Sequence, residues 1–200
     1  MREQTMKGLP LQGRRILITR THEQAGTFST QLSALGAIPV EFPTIRVVAP
    51  DDWEPLDFAL KRMCEADWYD WLVFTSANGV RICFDRLLRL GYHARSLGNV
   101  RIAAIGPATA ATLIKNGAKV DLVPAQYIAE GVASALIEDV HKRGEQLEGK
   151  KVLLLRAAEA RNVLVTELQR AGMTADVAAA YQTVGVSKED EQGHKILQQL

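Results

Sequence analysis

Short apolar runs alternate along the chain with longer segments in which apolar residues recur every three or four positions. The first run, at residues 15–19, precedes a helical segment, and a second run at residues 38–42 follows it. The same alternation predicts further strands at residues 71–74, 100–105, 120–123, 151–155 and 175–180. Strands of about four to six residues that alternate with helices of about ten or more are typical of parallel sheets with right-handed crossovers. The pattern therefore predicts an α/β fold.

Polar residues and glycines mark the ends of the predicted helices. Thr21 begins a Thr-x-x-Gln capping box, and Gly106 with Pro107 forms a sharp turn that has proline at the first helical position. A glycine ends four of the helical segments, namely Gly36, Gly91, Gly117 and Gly172. The start signals at Thr21 and at Gly106-Pro107 place these helices directly after a predicted strand.

Two extended segments interrupt the alternation. Residues 42–50 contain two prolines, and residues 181–188 are β-prone and poorly helical. They suit paired connectors between two domains, although two ordinary loops or edge strands explain the pattern equally well. As connectors they predict a first lobe of residues 1–42 and 184–200, and a second, flavodoxin-like α/β lobe of residues 43–183. The helical pattern of residues 189–200 stops without a cap, which predicts that the first lobe is truncated at its carboxyl end.

Composition and charge exclude several classes of protein. The hydrophobic share is 47%, the charged share is 24% and the formal net charge is +1, which argues against disorder and against a nucleic-acid binder. Cys64 and Cys83 each stand alone, so neither a zinc site nor a disulfide framework is indicated. The polar amino terminus and the lack of a long apolar run predict a cytoplasmic protein that has no membrane partner.

Candidate ligand-binding residues lie where strands end and helices begin. Ligands of parallel sheets bind outside the carboxyl ends of the strands, where helix amides attract anions. The candidates there are Arg20, Thr75, Ser76, Asn78, Gly106, Thr109 and Arg156. Structural explanations compete with each, because Thr and Ser are common helix caps and an arginine at a strand end suits a surface salt bridge. From the pattern alone, packing explains Tyr181 better than a functional role does, and Tyr127 can be a hydrophobic staple.

The sequence lacks the motifs of several large enzyme classes. No Gly-x-Gly-x-x-Gly, Walker, His-Glu-x-x-His, Gly-x-Ser-x-Gly or Cys-x-x-Cys motif is present. Pattern alone therefore predicts a two-lobed cytosolic α/β protein that binds a small anionic ligand without an obvious cofactor.

Six short motifs, taken in order, resemble a known family. They are Ile16-Leu17-Ile18-Thr19-Arg20, Asp70-Trp71-Leu72-Val73-Phe74-Thr75-Ser76-Ala77-Asn78-Gly79-Val80, Ile105-Gly106-Pro107-Ala108-Thr109-Ala110, Val123-Pro124-Ala125-Gln126-Tyr127, Val152-Leu153-Leu154-Leu155-Arg156 and Tyr181-Gln182-Thr183. Their order and spacing across residues 14–184 resemble the uroporphyrinogen-III synthase family. The resemblance implies two α/β lobes joined by a two-stranded linker, and further sequence that completes the first lobe.

The resemblance also implies a reaction and a set of site residues. The reaction is cyclisation of the linear tetrapyrrole hydroxymethylbilane to uroporphyrinogen III, with loss of water, inversion of the last pyrrole ring and no metal or organic cofactor. Tyr181 becomes the candidate proton donor. The residues implied to bind the polycarboxylate substrate are Arg20, Thr75, Ser76, Asn78, Gly106, Thr109, Tyr127, Arg156 and Thr183. We expect a monomer that binds this small molecule and no nucleic acid.

Two other functions remain open at this point. A non-catalytic two-lobed module that closes on a small anionic ligand would have the same hinge-linked architecture. A flavodoxin-like domain that binds a flavin or a nucleotide sugar is a weaker alternative.

Overall fold

A computed structural model describes residues 9–186 of the chain, and the predicted helix at residues 189–200 lies outside them. The elements, in chain order, are β1 (Arg15–Ile18), α1 (His22–Ala34), β2 (Ile38–Glu41), β3 (Ile45–Val48), α2 (Glu54–Ala66), β4 (Trp71–Phe74), α3 (Ala77–Arg89), a short 3₁₀ helix (Ala94–Leu97), β5 (Arg101–Ala104), α4 (Pro107–Lys115), α5 (Ala129–Lys142), β6 (Lys151–Ala157), α6 (Val163–Arg170) and β7 (Thr174–Gly185). Strands and helices alternate along most of the chain, and the pairs β1–β2, β4–β5, β4–β6 and β6–β7 are parallel. The predicted α/β fold is confirmed.

The chain divides into two compact units. Of the described residues, the first unit takes those up to Val48 and those from Thr183 onward, and the second unit is Ala49–Gln182. The division therefore falls after β3 and again inside β7. The predicted lobe boundaries, residues 1–42 with 184–200 and residues 43–183, stay a prediction.

The first unit is built on a parallel pair of strands. β1 and β2 pair in parallel, and α1 connects them. Ile18, Ala25, Leu32 and Ala37 form its buried core. Thr21 occupies the N-cap position of α1, but its side chain makes no capping hydrogen bond and its hydroxyl oxygen is buried without a partner. The predicted capping box is therefore wrong for Thr21, because its hydroxyl does not accept a backbone N–H of α1.

The second unit carries a doubly covered parallel sheet. β7, β6, β4 and β5 lie side by side in that order, and all three pairings between them are parallel. One face packs against α2, α3 and α4 through a core that includes Leu60, Phe84 and Leu113. The other face packs against α5 and α6 through Leu136 and Leu168. Because helices cover both faces, β4 is buried at all four residues, as its continuous apolar run predicts.

The two extended segments are neighbours in the sheet. β3 lies within residues 42–50, and the second segment continues β7 without a break. β3 lies beside β7 in the strand order, and the backbone N–H of Val186 donates to the carbonyl of Thr44 at 2.9 Å. The predicted pairing of these segments is confirmed.

The predicted strand at residues 120–123 does not form. Only one bridge is present, between Leu122 and Ala103. The carboxylate of Asp121 accepts the backbone N–H of Ile102 at 2.9 Å. The Asp121 side chain thus occupies the N–H of Ile102, which a backbone carbonyl would accept if a sixth strand paired with β5. Pro124 then follows and has no N–H to donate. The segment is a loop pinned to β5 rather than a sixth strand of the sheet.

The predicted helix ends are confirmed at all four glycines. Gly36, Gly91, Gly117 and Gly172 have φ values of 88°, 86°, 80° and 91°, in the left-handed region that favours glycine.

Among the described residues, no helix has both the length and the apolar character needed to cross a membrane.

An ion pair fastens α2 to α3 on one face of the sheet. Nε and Nη2 of Arg86 each donate to a carboxylate oxygen of Asp57 at 2.6 Å. The guanidinium also lies over the ring of Trp53, 4.6 Å from its centroid. The hydrogen bonds from Arg86 lower the pKa of Asp57 from its ordinary value. The folded state therefore binds the Asp57 proton more weakly than the unfolded state does.

We predict that Asp57→Asn lowers the free energy of unfolding by about 1 kcal/mol at pH 7, because the bidentate pair is lost. The pair stabilises the fold above the unfolded pKa of Asp57, about 3.9, and this contribution disappears as the pH falls through the lower folded value. Urea titrations of the parent chain and the variant between pH 7 and pH 2.5 should show the difference shrinking below about pH 4. A difference that stays constant to the lowest pH would contradict the assignment.

Candidate active site

The second unit gathers most of the predicted site residues along one edge of its sheet. Because β4, β5, β6 and β7 are parallel, their carboxyl ends lie at the same edge. Ser76 follows β4, Gly106 follows β5, Arg156 lies near the end of β6, and Tyr181 lies opposite Ala157 in β7. α3 and α4 begin here, so backbone N–H groups of their first turns lie at this edge, apart from that of Gly79, which Ser76 accepts, and Pro107, which has none.

A hydrogen bond joins Ser76 to Tyr181 across 105 positions of sequence. Oγ of Ser76 lies 2.9 Å from the phenolic oxygen of Tyr181 and accepts the backbone N–H of Gly79 at 3.0 Å. Ser76 is the N-cap of α3, so its interpretation as a helix cap is confirmed. Tyr181 is 8% exposed and therefore also packs in the unit. The candidate proton donor and one candidate binding residue are thus in direct contact.

Three other candidates lie in the same turns. Asn78 is buried in the first turn of α3, and its side-chain oxygen accepts from Nη2 of Arg81. Thr109 is buried in the first turn of α4, and Thr75 is half-buried between β4 and the cap. Their contact with a substrate stays a prediction.

A loop before α5 places Tyr127 at this edge. A β-carbon at Gly106 would lie 3.2 Å from Cγ of the Tyr127 ring, so the ring rests directly on the glycine. On the other side of the loop, a β-carbon at Gly131 would lie 2.3 Å from the carbonyl oxygen of Gln126. Tyr127 remains 58% exposed. Two glycines therefore make room for a loop that presents an aromatic ring to solvent.

Arg156 is buried and engaged by its own loop. Nη1 donates to the carbonyl of Arg161 at 2.7 Å, and Nη2 donates to Oδ1 of Asn162 at 2.6 Å. Nε is buried without a hydrogen-bond partner, and burial lowers the pKa of the guanidinium from its ordinary value. Within residues 9–186 no carboxylate lies within salt-bridge distance of it, so the surface salt bridge considered for Arg156 does not form. Arg156 anchors the β6–α6 loop, and its role in substrate binding stays a prediction.

Arg20 and Thr183 belong to the first unit. The guanidinium carbon of Arg20 lies 5.8 Å from the centroid of the Phe28 ring, and Thr183 lies in β7. Their part in a binding site stays a prediction.

Neither cysteine is suited to nucleophilic chemistry. Cys64 and Cys83 are free. Burial raises the pKa of Cys64 to about 11 and raises that of Cys83 further. Both are therefore thiols at neutral pH, and a thiolate is the reactive form.

Two cavities, of about 270 and 550 Å³, lie at the opposite edge of the sheet. Several charged residues there form ion pairs: Arg101 with Asp139, and Lys150 with both Asp70 and Glu145. This neutralisation explains the cluster as a structural network that joins strand starts to α5. The candidate site therefore remains at the carboxyl edge.

Sequence reasoning missed three residues that shape this edge. Gly79 lies beneath the Ser76 hydroxyl, Gly131 admits the Gln126 carbonyl, and Asn162 holds Arg156. A glycine in the first turn of a predicted helix costs about 1 kcal/mol relative to alanine, so Gly131 carried a readable signal of close backbone approach. Gly79, at the same position in the first turn of α3, carried the same signal, whereas nothing in the pattern distinguishes Asn162.

Comparison with known proteins identifies a family. The sequence model of a family described as uroporphyrinogen-III synthase HemD matches residues 26–199. A porphyrin biosynthesis protein HemD from Ruminiclostridium josui is 36% identical over 174 residues, which is 87% of this chain and 33% of that protein. A uroporphyrinogen-III synthase from Synechococcus elongatus is 32% identical over 167 residues, 80% of this chain and 60% of that protein. The chain thus spans less than two thirds of the length of these relatives.

Solved structures share the fold. A mutant uroporphyrinogen III synthase from Thermus thermophilus aligns with a TM-score of 0.61 at 16% identity, over 87% of this chain and 64% of that one. The wild-type protein in another crystal form aligns with a TM-score of 0.54 at 18% identity, over 87% of this chain and 63% of that one. At these identities the likeness concerns architecture, and it agrees with the α/β elements described above.

We predict that Gly131→Ala lowers the free energy of unfolding by about 1–3 kcal/mol, because the new methyl group would meet a backbone oxygen that cannot move without displacing the loop. Gly26→Ala is the matched control, since it also lies inside a helix but has nothing within 4 Å of the added carbon. The control should be neutral or more stable by up to about 1 kcal/mol. Urea denaturation checks both, and equal effects at the two positions would contradict the steric argument.

Proposed function

The chain belongs to the uroporphyrinogen-III synthase family, and on this premise we propose that it cyclises hydroxymethylbilane to uroporphyrinogen III in haem biosynthesis. Water is lost and the terminal pyrrole ring is inverted, through a spiro intermediate. The match of the family model to residues 26–199 carries this proposal. The reaction makes the protein a hydro-lyase.

The carboxyl edge of the second unit suits a substrate with eight carboxylates. Helix N-termini favour anions by about 0.3–1 kcal/mol each at exposed positions and by up to about 2 kcal/mol where they are partly buried. α3 and α4 both begin at this edge. We assign substrate binding to the residues named from the sequence, Thr75, Ser76, Asn78, Gly106, Thr109, Tyr127 and Arg156, together with Arg20 and Thr183 of the first unit.

Tyr181 is proposed to protonate the departing hydroxyl group. Its phenolic oxygen is held by Ser76 at the beginning of α3, beside the helix amides that would hold the carboxylates. A positioned acid of this kind contributes about a hundredfold or more to a rate. The substrate thus meets its proton donor where it is bound.

The enzyme's main task is to hold a conformation. Hydroxymethylbilane also closes unaided to the isomer without inversion, so the protein must orient the terminal ring for attack by the other carbon. Correct positioning can supply about 7–11 kcal/mol of a barrier. We therefore propose catalysis without a metal or organic cofactor, by a monomer in the cytoplasm, with residues 1–42 and 184–200 as one lobe and 43–183 as the other.

Product analysis tests the function. Hydroxymethylbilane is generated in situ without oxygen, the products are oxidised, and isomers I and III are separated by chromatography. The 200-residue chain is compared with an extended version that carries the sequence found beyond the matched region in a relative. Isomer III above the uncatalysed background from either version supports the proposal. Stabilisation by the substrate with no isomer III from both would favour the non-catalytic binding module.

We predict that Tyr181→Phe lowers kcat about a hundredfold in whichever version makes isomer III, while KM changes less than about threefold, because the phenylalanine keeps the packing and loses the proton. Tyr92→Phe is the control, since Tyr92 lies beyond the other end of α3 and donates to Glu65. Steady-state kinetics measure both. Unchanged kinetics for Tyr181→Phe would remove this residue from the mechanism.

A further inference from the structure

The Ser76 hydroxyl connects the beginning of α3 to Tyr181. The oxygen accepts the N–H of Gly79 at 3.0 Å and lies 2.9 Å from the phenolic oxygen. A hydroxyl has one proton to donate and two lone pairs. After the bond from Gly79, Ser76 can therefore either donate to Tyr181 or accept from it.

Close packing fixes the two hydroxyl groups relative to each other. A β-carbon at Gly79 would lie 3.3 Å from Oγ of Ser76 and 3.8 Å from Cε1 of Tyr181, so the tyrosine ring passes over the first turn of α3. The carbonyl of Tyr181 accepts the N–H of Ala158 at 2.9 Å, next to the register shift at the end of β6. Backbone and ring are thus both held, and the phenolic oxygen has little freedom to leave the serine.

The direction of the hydrogen bond decides whether the tyrosine proton is available. If Tyr181 donates to Ser76, its proton points at the helix and away from any ligand. If Ser76 donates to the phenolic oxygen, the tyrosine proton is free to point elsewhere. We propose that Ser76 is a positioning residue for the reaction: it donates to the phenolic oxygen of Tyr181 and so directs the tyrosine proton to the departing hydroxyl of the substrate. This inference rests on the proposed function.

The proton balance of the step is complete. The carbon–oxygen bond of the substrate breaks, its electron pair leaves with the oxygen, and the tyrosine proton converts the departing group to water. The phenolate that remains keeps the hydrogen bond from Ser76. The carbon of the terminal ring that attacks first already carries the bridge to the neighbouring ring and has no hydrogen. It bonds to the carbon that lost the hydroxyl, its bond to the bridging carbon then breaks, and the bridging carbon bonds to the free carbon of the same ring. The phenolate regains a proton when that free carbon loses its hydrogen. No other reactant is required.

The helix strengthens this arrangement. Gly79 donates to the serine oxygen from the first turn of α3, where the helix dipole is positive. A hydroxyl that accepts a hydrogen bond becomes a better donor, because bonded groups polarise one another. The cap therefore favours the phenolate that the proton transfer produces.

Capping and donation can be separated by substitution at residue 76. Ser76→Thr keeps the cap and the hydroxyl proton. Ser76→Asp keeps a good cap, but its carboxylate can only accept, so it would hold the tyrosine proton away from the substrate. Ser76→Ala loses both. Ser96→Ala, in the short 3₁₀ helix at the other edge of the sheet, controls for the loss of a serine hydroxyl.

The experiment measures steady-state kinetics of isomer III formation in the version of the chain that is active. We expect Ser76→Ala and Ser76→Asp to lower kcat about tenfold or more, and Ser76→Thr to recover most of the loss. KM should rise as well, most of all for Ser76→Asp, because Ser76 is also assigned to substrate binding and an aspartate there repels the carboxylates of the substrate. In the Tyr181→Phe background, Ser76→Asp should change kcat less than about twofold, because there is no phenolic proton left to direct. The proposal would be overturned if Ser76→Asp were as active as Ser76→Thr. It would also be overturned if Ser76→Asp lowered kcat as much in the Tyr181→Phe background as it does in the parent chain.

A second readout keeps this inference separate from the proposed function. The chain contains 4 tyrosines, so ¹³Cζ labelling gives few signals, and Tyr181→Phe identifies the one from Tyr181. Ser76→Ala and Ser76→Asp should move that signal, while Ser76→Thr should leave it near its original position. If no version makes isomer III, the function fails while the hydrogen bond is still measured. A signal that does not respond to Ser76→Ala would overturn the positioning role whatever the activity.

Discussion

Parallel pairing of β4, β5, β6 and β7 is the constraint on which the candidate site depends. In a parallel sheet every strand ends at the same edge, and every crossover helix that follows a strand begins there. This is why Ser76 and Tyr181, 105 positions apart, can share a hydrogen bond. Burial enforces the pairing, because helices cover both faces of the sheet and β4 has no exposed residue.

Much of this arrangement could be predicted because its causes are local. Four-residue apolar runs predict buried strands such as Trp71–Phe74, and each glycine that the pattern places at a helix end has left-handed backbone angles. Serine commonly accepts a helix amide, which predicts Ser76 as a cap, and the bond from Gly79 confirms it. The fold class and the edge that carries the site both follow from this local information.

The rest depends on contacts that no local pattern encodes. The failure of residues 120–123 to form a strand rests on the Asp121 side chain, which takes an N–H of β5. Arg156 has the position of an anion-binding residue, yet its guanidinium turns to Arg161 and Asn162. The Thr21 hydroxyl makes no bond at a position where threonine normally caps. In the first two cases a side-chain contact overrides the preference of the segment, and for Thr21 the structure shows no contact that replaces the cap.

Hydroxyl and amide groups predominate among the residues assigned to this edge, and they suit the proposed reaction, whose wrong product forms unaided. The ammonium of a lysine attracts a carboxylate from a wide range of directions, whereas a helix N–H or a hydroxyl binds only along a narrow one. Attraction alone would gather the substrate without choosing which carbon of its terminal ring attacks. Directional donors fixed by packing, as the serine and tyrosine hydroxyls are by Gly79, can specify a conformation. The rigidity of these donors is therefore the property through which such a site would select one isomer.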